Sequence, residues 1–496
     1  LEVTPKAMEF DHLDLLLISP SGRSELSMRG LVDRPKGVGQ LVVSSPELDL
    51  ALPVVRDVIA VLAGAEAEEW WDAHAPDGMV SIDANIDRRL KETWWSVGIK
   101  PRDVELTWRD HRLAFRDRGR TQLTLQPGEL LLERLDGLVG EDVVDMTGRV
   151  GLDPLSVRLD GTFAGSIHGP LLAACGGTEW IDITNAIELN DGGQTTVDPM
   201  RLRLESHDSG WFGRLEAQAQ TRGASMTVGL ALSDVSASMN ADIQFQDNDP
   251  LVELEITHAD ADVAKTRMKS VRGQIVSSPS MATPYRVEIG PLRGTIGSGR
   301  LVIDAKAAGP DGDWLASVSV ANARLEQLFP EEADAEDEDD DGPDPSGEVD
   351  AAVHLSGRVG VPDSVQGTGD FQIRNGFLRT LPSMVAIQQI MHLSSPVVSA
   401  IGFVDVQFLI QGHEAIMSQI RMVSGGSGRG GFSLHGQGTL DLRDMNIDAS
   451  LRPRGTWPII SDVIGLLQDQ FYQVRLTGAV GDPEVRIQTL PGLSGR

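Results

Sequence analysis

The chain has 496 residues, which is enough for about three ordinary domains or for one extended repeat architecture. Acidic residues outnumber basic ones by 73 to 43, and the formal net charge of -30 disfavours nucleic acid and anionic lipid surfaces as partners, because like charges repel. Aromatic residues make up only 5% of the chain, while 53 residues are glycine, a composition that favours many short strands and turns over thick helical packing.

Cysteine usage and hydropathy set further limits. The single cysteine, Cys175, excludes an intramolecular disulfide and has no basic neighbours, so we expect a buried structural thiol.

The chain begins at Leu1 without a basic segment followed by an apolar one, as in a leader peptide, which leaves open a targeting or anchoring segment upstream. The most apolar long stretch, 381–410, is interrupted by polar residues, whereas a spanning helix needs roughly 20 uninterrupted apolar residues. We therefore expect that this chain does not itself cross a membrane.

An amphipathic helix that starts with proline is predicted three times. Residues 52–62 (LPVVRDVIAVL) align without gaps on residues 457–467 (WPIISDVIGLL), and residues 381–391 (LPSMVAIQQIM) are a looser third copy. Proline suits the first helical position, where its missing N–H would have no partner. We expect these helices to lie across the end of a sheet and cover a core, with direct membrane contact as the alternative.

Two pairs of tryptophans, Trp70-Trp71 and Trp94-Trp95, stand out in a chain with only nine. We expect them to pack in the core of a local subdomain. The alternative is a membrane-interface belt or a partner site.

A strand-turn unit is repeated along the chain. It reads VDMTGRVGLDP at 144–154, VHLSGRVGVP at 353–362 and VRLTGAVGDP at 474–483, with a fainter copy at 28–35. Glycine at the end of a strand permits a bulge or a tight bend, and the following proline ends the ladder. Self-similar units predict elements stacked side by side.

Alternation of apolar and polar residues predicts half-buried strands throughout, for example at 200–204, 252–256 and 404–410. We expect one apolar face to continue from end to end and to line a groove. The residues predicted to line it are Met200, Leu202, Leu204, Val252, Leu254, Ile256, Val353, Leu355, Phe371, Ile373, Val404, Val406, Phe408, Ile410, Met445, Ile447, Leu451, Val474, Leu476, Val485 and Ile487.

An acidic block at 331–345 cannot pack a core and predicts a disordered loop or linker. The predicted organisation is a repetitive β region at 1–330, the acidic linker at 331–347 and a C-terminal β domain at 348–496. Within the block, Asp337, Asp339, Asp341, Gly342 and Glu348 match an EF-hand loop pattern. Prolines stiffen this loop and a strand follows in place of a helix, so we expect no specific calcium site.

The sequence contains none of the common metal-binding, catalytic or nucleotide-binding motifs. The ten histidines are scattered without metal-ligand spacing, and there is no P-loop, nucleophile elbow or dinucleotide fingerprint. The glycine-rich stretch 425–431 joins two strand-like runs and reads as a hairpin loop rather than a phosphate cradle. We expect no enzyme activity, no metal and no cofactor.

The last 150 residues, approximately, resemble a known family. Five segments occur in the order seen in AsmA-like C-terminal regions, namely 369–382 (GDFQIRNGFLRTLP), 403–410 (FVDVQFLI), 436–448 (GQGTLDLRDMNID), 451–454 (LRPR) and 474–485 (VRLTGAVGDPEV). The resemblance implies membership of the AsmA and TamB group, bridge-like lipid transfer proteins of the bacterial envelope. Members are usually tethered to the inner membrane, and this chain departs from them in lacking the anchor and in its acidic insertion.

The resemblance and the residue patterns together give the expected fold and function. The expected fold is mainly β, a long curved antiparallel sheet that forms an elongated hydrophobic groove, with a few short amphipathic helices. The expected function is a non-enzymatic periplasmic protein that shields phospholipid acyl chains and conducts them between the inner and outer membranes. Further partners would be envelope membrane proteins, with membrane contact at the ends only. The alternative is a structural or assembly module with a dry β-sandwich core that binds protein partners.

Overall fold

The computed structural model describes residues 2–3, 6–18, 23–33, 35–63, 65–89, 92–108, 111–152, 154–166, 189–207, 210–228, 230–246, 249–263, 266–278, 286–308, 312–328, 346–377, 401–424, 433–454, 472–479 and 484–489. The chain divides into two compact units, Leu1–Val252 (unit 1) and Glu253–Arg496 (unit 2). Each unit is described by itself below.

The described residues are mostly strands. The strands are β1 (Glu2–Val3), β2 (Ala7–Ile18), β3 (Arg23–Asp33), β4 (Val38–Asp49), β5 (Asp77–Arg89), β6 (Glu92–Trp108), β7 (His111–Asp117), β8 (Gln122–Gln126), β9 (Glu129–Val139), β10 (Asp142–Leu152), β11 (Leu155–Gly165), β12 (Leu189–Asp191), β13 (Gln194–His207), β14 (Gly210–Val228), β15 (Leu230–Gln246), β16 (Asp249–Val263), β17 (Thr266–Ser278), β18 (Arg286–Ile296), β19 (Gly299–Ala307), β20 (Asp313–Arg324), β21 (Ser346–Arg358), β22 (Val361–Phe377), β23 (Ile401–Gln411), β24 (Glu414–Ser424), β25 (Ser433–Asp441), β26 (Asn446–Arg454), β27 (Tyr472–Ala479) and β28 (Glu484–Thr489). The helices are α1 (Pro53–Ala63), α2 (Ala65–His74) and α3 (Leu325–Leu328).

Unit 1 is an antiparallel sheet in which neighbours along the chain pair with each other. The ladder runs from β1 through β6, and then β7 and β8 together occupy the place between β6 and β9. From β9 it continues through β10, β11 and β13 to β14 and β15, with β12 also paired to β14.

Unit 2 has the same construction. Strands β17 to β28 pair antiparallel in chain order. From β21 onward the connections alternate in length. At one edge they are the two- to four-residue segments 359–360, 412–413, 442–445 and 480–483, and at the other edge they are the longer segments 378–400, 425–432 and 455–471.

The predicted fold class is confirmed: the protein is mainly β, with a long antiparallel sheet and a few short helices. The predicted strands at 200–204, 252–256 and 404–410 lie in β13, β16 and β23. Because side chains alternate across a strand and directly paired residues share a face, the sequence alternation places apolar residues on one face of each sheet.

Glycine in the repeated strand-turn unit marks a bulge, as predicted, in two of its copies. The pairing of β10 with β9 shifts between Met146 and Gly148, and the pairing of β21 with β22 shifts between Ser356 and Arg358, the two residues that flank Gly357. Gly148 has a positive φ of 156°, which a residue with a side chain adopts only at a cost.

The division between the units does not fall at the acidic block. It lies between Val252 and Glu253, inside β16. Strands β20 and β21 flank residues 329–345 in sequence and pair antiparallel, with Val318 opposite Val353. The acidic block itself, including the EF-hand-like pattern up to Gly342, is outside the described residues, as are Cys175 and the stretch 425–431.

One of the three predicted helices is described, and it forms as expected. Helix α1 starts at Pro53 and covers residues 52–62 apart from Leu52. The copies at 381–391 and 457–467 lie outside the described residues. In the described part of the chain, no helix is long and apolar enough to span a bilayer.

Gly78, near the start of β5, provides a test of the backbone geometry. It has a φ of 111°, and a Cβ placed there would overlap the carbonyl oxygen of Asp103 on β6. We expect Gly78→Ala to lower the free energy of unfolding by about 1–3 kcal/mol, because both strain and a clash are introduced. Denaturant titration would measure this change.

The matched control is Gly98→Ala on β6, where a Cβ would meet its nearest atom, the Asp83 carbonyl oxygen, at 3.5 Å. That is an ordinary contact, so we expect a change of less than about 1 kcal/mol. Equal effects of the two substitutions would contradict the register between β5 and β6.

Candidate functional site

Unit 2 carries an apolar face that passes from strand to strand. The cross-strand partners on it follow one another without interruption. One row is Val320, Ala351, Phe371, Val406, Ile420, Gly436, Leu451 and Val474, from β20 to β27. The adjacent row is Val318, Val353, Gly369, Phe408, Met417, Gly438, Ala449, Leu476 and Val485.

Side chains on this face form the largest buried cluster of the described residues. Its buried members are Ala323, Leu325, Val349, Ile373, Ile401, Val404, Met417, Ile420, Met422, Leu434, Ala449, Leu451, Val474 and Leu476. All of them come from strands of one sheet and from α3. Phe371, Val406, Phe408 and Ile447 pack against the cluster and stay half-buried. The face therefore combines a packed base with apolar side chains that keep exposed surface.

Aromatic side chains cover glycines on this face. A Cβ on Gly369 would overlap the ring of Phe408, its cross-strand partner, and a Cβ on Gly357 would lie 3.0 Å from the ring of Trp314. Glycine weakens a strand because it has no side chain to pack. A neighbouring ring supplies that contact and keeps the face apolar.

Unit 1 carries an equivalent face. One row of direct cross-strand partners crosses twelve strands, from β2 to β15. It consists of Leu13, Met28, Val43, Ala84, Val97, Leu125, Leu130, Val150, Val157, Leu204, Gly213 and Phe245. The side chains of this row are hydrocarbon apart from the thioether of Met28 and carry no charge or hydrogen-bond donor, so the face can bind hydrocarbon through contact and exclusion of water.

The helical hairpin α1–α2 packs on the apolar face of unit 1 near its first strands. Leu52 and Val55 form a buried cluster with Leu48 and Val80, and Ile59 and Trp71 pack against the same cluster. Arg56 on α1 donates two hydrogen bonds of 2.7 Å to Asp72 on α2 and also contacts Glu68 at 2.7 Å. Since the three charges lie on the hairpin's own flank, they fix α2 to α1 without entering the core.

Each tryptophan pair divides between the core and the solvent. Trp71 packs in the core, whereas Trp70 is 45% exposed and stacks on His74 at 4.5 Å between ring centroids. Trp95 is buried, whereas Trp94 is 55% exposed on the other face of β6. The core-packing prediction thus holds for one member of each pair.

The opposite faces of the sheets are polar and carry cross-strand ion pairs. In unit 2, Arg475 donates hydrogen bonds of 2.9 and 2.7 Å to the two carboxylate oxygens of Asp448. In unit 1, Arg149, Arg158, Arg203 and Arg214 stand directly opposite one another on successive strands. Glu205 lies 3.6 Å from Arg158, and Asp242 pairs with Arg214. These charges give each sheet a solvated side and therefore distinguish its two faces.

The hydrogen bonds from Arg475 hold the pKa of the Asp448 carboxyl below its usual range, against the opposing effect of desolvation and with the added attraction of the guanidinium charge. The hydrogen bonds to Asp242 from Arg214 act in the same direction on that carboxyl's pKa.

Most residues predicted to line the groove occupy these apolar faces. In unit 1 they are Met200, Leu202 and Leu204, opposite Gly161, Leu159 and Val157. In unit 2 they are Val353, Leu355, Phe371, Ile373, Val404, Val406, Phe408, Ile410, Ile447, Leu451, Val474, Leu476 and Val485. Val252, Leu254 and Ile256 lie half-buried at alternate positions on β16, and the side chain of Ile487 is outside the described residues.

The predicted strand position of Met445 is corrected by the structure. Met445 lies in the turn before β26, with a φ of 52° and half of its surface exposed. The alternation that includes Ile447 starts one position later, because residues 442–445 are needed to reverse the chain.

Alternation alone misses several members of the face. On β24, Met417 and Ile420 are three residues apart because the pairing with β25 shifts between them, so a period of two fails there. On β25, Gly436 and Gly438 occupy face positions between Leu434 and Leu440. A glycine-rich strand shows no apolar alternation in its sequence, although the residues paired with it on the adjacent strands complete the apolar surface.

The described residues contain no group of three or more His, Cys, Asp or Glu side chains that could hold a metal ion. Comparison of the chain with models of protein families, with curated proteins and with solved structures gives no match. The site is therefore characterised by its own geometry, which is an extended apolar face on each unit.

Leu434 and Leu409 form a matched pair for testing which face is buried. Leu434 is fully buried on the apolar face of unit 2, whereas Leu409 is 43% exposed on the other face. We expect Leu434→Ala to lower the free energy of unfolding by about 2–5 kcal/mol, and Leu409→Ala by less than about 0.5 kcal/mol. Chemical denaturation would measure both values, and a larger loss for Leu409→Ala would invert the assignment of faces.

The Asp448–Arg475 pair predicts a small acid dependence. Because the pKa of Asp448 is lowered by folding, its stabilisation is present above the unfolded carboxyl pKa of about 3.9 and disappears as the pH falls through the folded value. Both side chains are about half-exposed, so the effect should stay below about 1 kcal/mol. We expect Asp448→Asn to abolish this contribution to the pH dependence of the free energy of unfolding. Asp370→Asn, which changes an exposed carboxylate on the same face, should leave the contribution of Asp448 in place. A pH profile unaltered by Asp448→Asn would contradict the assignment.

Proposed function

We propose that this protein shields phospholipid acyl chains on the apolar faces of its sheets and conducts them along those faces between membranes of a bacterial envelope. The observation that carries the proposal is the unbroken succession of apolar cross-strand partners, which crosses twelve strands in unit 1. Transport of a hydrocarbon chain requires continuity of one apolar surface rather than convergent reactive groups. In this proposal the protein has no catalytic role and needs no cofactor.

Energetics support a lipid as the occupant. Each methylene group of an acyl chain that leaves water contributes about 0.8 kcal/mol. Phe371, Val406 and Phe408 keep exposed apolar surface on the face, so contact with an acyl chain would remove additional hydrocarbon from water. Because contacts of this kind depend on surface rather than direction, a chain can slide along the face without crossing a large barrier.

The envelope location rests on the sequence resemblance to AsmA-like C-terminal regions. It implies a periplasmic protein held at the inner membrane by a segment outside this chain, with envelope membrane proteins as further partners. The polar faces, with pairs such as Arg475 and Asp448, suit an aqueous compartment between two membranes.

The rival function is an assembly module whose apolar faces are closed in a dry sandwich. The cluster of unit 2 favours the lipid proposal, because its members among the described residues come from one sheet and α3. A sandwich would draw them from two sheets.

Adjacent residues on β23 allow a direct test. Phe408 points to the apolar face, and Leu409 points to the opposite face with 43% exposure. A photo-crosslinking amino acid would be placed at either position in the full chain, which is then incubated with radiolabelled phospholipid and irradiated. We expect lipid adducts at position 408 and at least about tenfold fewer at position 409, since acyl chains contact one face only.

Native mass spectrometry of the purified protein supplies the second readout. We expect bound phospholipid that is released when Val406→Asp and Phe408→Asp place two charges on the face. A protein free of lipid, with equal crosslinking at positions 408 and 409, would overturn the proposal and favour the dry sandwich.

A further inference from the structure

The polar face of unit 2 carries four cationic side chains close together on three neighbouring strands. This group, which we call the basic patch, consists of Lys269 and Arg272 on β17, Arg293 on β18 and Arg300 on β19. Val271 and Leu301, which adjoin members of the patch in the chain, are buried on the opposite, apolar face. All four members of the patch are exposed, so a ligand can reach them from solvent.

Strand register brings the four side chains together, and Arg272 and Arg293 are direct cross-strand partners. Thr295 lies two residues after Arg293 and therefore on the same face. Its direct partners are Lys269 on one side and Arg300 on the other. Neighbouring strands lie about 4.8 Å apart, and successive residues on one face of a strand lie about 7 Å apart. Side chains as long as those of lysine and arginine can therefore converge on one small ligand above Thr295.

A bulge in β17 places both of its cations on the same face. Lys269 and Arg272 are three residues apart, so a regular strand would direct them to opposite faces. The pairing of β17 with β18 shifts between them, and Ser270, which lies in the bulge, has a positive φ of 55°. The backbone N–H of Ser270 donates a 2.7 Å hydrogen bond to the Asp260 carboxylate, which holds the bulge in place. The bulge thus collects charges that an uninterrupted strand would separate.

The cations of the basic patch have no carboxylate partner. In the part of the chain that the structure describes, no carboxylate oxygen lies within 4.0 Å of any of the four. Acidic residues of the same strands and of β16 are engaged by other cations, Asp262 by Arg267 at 3.1 Å and Glu288 by Lys306 at 3.7 Å. Asp304, further along the same face of β19, forms no ion pair with the patch either. The protein itself therefore leaves these four charges unneutralised.

Four positive charges in this arrangement repel one another. Like charges that stand directly opposite each other destabilise a strand pair, and Arg272 and Arg293 stand in that relation. The next strand, β20, offers only the neutral Ala321 as the partner of Arg300. An anion bound among the four cations would relieve this repulsion, and its binding would stabilise the folded protein.

The chemistry of the patch identifies the kind of anion that fits it. Arginine presents a planar fork of N–H donors that matches the oxygens of a phosphate group, and lysine adds a compact charge. A phosphate dianion neutralises more of the patch than a single carboxylate does. The chain has a net charge of -30, which repels an extended polyanion along its length, but charges more than about 8 Å away are largely screened at physiological ionic strength. The patch therefore favours a small phosphate compound over a nucleic acid or an anionic bilayer.

We infer that the basic patch is a binding site for the phosphate group of a small ligand. The site lies on the polar face of unit 2 and goes beyond the proposed lipid function, which uses the apolar faces. A soluble phosphate compound and the headgroup of a single lipid molecule share this chemistry, and the experiment below distinguishes them.

Isothermal titration calorimetry of the full chain with inorganic pyrophosphate at low ionic strength tests the inference. We expect saturable binding by the wild type and at least about tenfold weaker binding by the double variant Arg293→Gln with Arg300→Gln, because half of the cationic charge of the patch is removed. Both residues are exposed and form no ion pair with the described residues, so the variant should keep the melting temperature of the wild type.

The matched control is the double variant Arg475→Gln with Arg486→Gln. These two arginines are also direct cross-strand partners in unit 2, but Arg475 donates hydrogen bonds to Asp448 and Arg486 donates hydrogen bonds to Glu484. The control removes the same charge from the chain. We expect the affinity for pyrophosphate to change by less than about twofold, since the protein already uses these donors.

Two further probes distinguish the source of the phosphate group. Inorganic phosphate represents a soluble compound, and dihexanoyl phosphatidic acid below its micelle concentration represents a lipid headgroup. Tighter binding of the lipid than of inorganic phosphate, with loss of that difference in the Arg293→Gln, Arg300→Gln variant, identifies a headgroup as the ligand. The reverse order identifies a soluble phosphate compound.

Three outcomes would overturn the inference. The first is the absence of saturable pyrophosphate binding, and the second is an equal loss of affinity in the patch variant and in the Arg475→Gln, Arg486→Gln control. The third is binding of duplex DNA or of phosphatidylglycerol vesicles that is tighter than binding of pyrophosphate and is lost in the patch variant. That result would identify an extended polyanion, rather than a small phosphate ligand, as the occupant.

Discussion

Register between neighbouring strands is the constraint on which the rest of this protein depends. The side-chain period of a strand is two, so a slip of one residue between any two strands would turn every apolar side chain beyond it to the polar face. The row from Leu13 on β2 to Phe245 on β15 passes through eleven strand pairings and stays apolar. Each bulge must therefore be compensated by the local sequence, as it is where Met417 and Ile420 change spacing from two to three.

The two faces of each sheet hold the register by different means. On the apolar face, burial of side chains such as Leu434 and Leu451 penalises a slip by the cost of exposing hydrocarbon. On the polar face, pairs such as Arg475 with Asp448 add directional contacts that a slip would break. Exposed ion pairs are individually weak, so apolar burial determines the register and the ion pairs reinforce it.

The sequence predicts the strands and their apolar faces wherever apolar and polar residues alternate regularly. Alternation identified β13, β16 and β23 and most of their face residues, and proline at position 53 marked the start of α1. The same alternation wrongly placed Met445 on a strand, because a turn residue can continue an alternating pattern by coincidence. Only the pairing of β26 with β25 shows where the chain reverses. Glycines at 436 and 438 carried no apolar signal, since their place on the face depends on partners in other strands.

The acidic block was the strongest change in composition, yet β20 and β21 on either side of it pair as neighbours. The composition of a segment indicates whether water solvates it. The division of the chain into units depends instead on contacts between residues far apart in sequence.

The connections of unit 2 have a consequence for how such a chain can change in evolution. From β21 onward, connections of two to four residues alternate with connections of eight or more. A hairpin with a tight turn is a self-contained module whose two strands bring their own apolar and polar faces. Duplication or loss of a whole hairpin would lengthen or shorten the sheet while each remaining strand keeps its orientation. Selection on the distance that a sheet has to cover could thus act through hairpin number, without redesign of a core, and single-strand insertions would be eliminated because they invert every strand that follows.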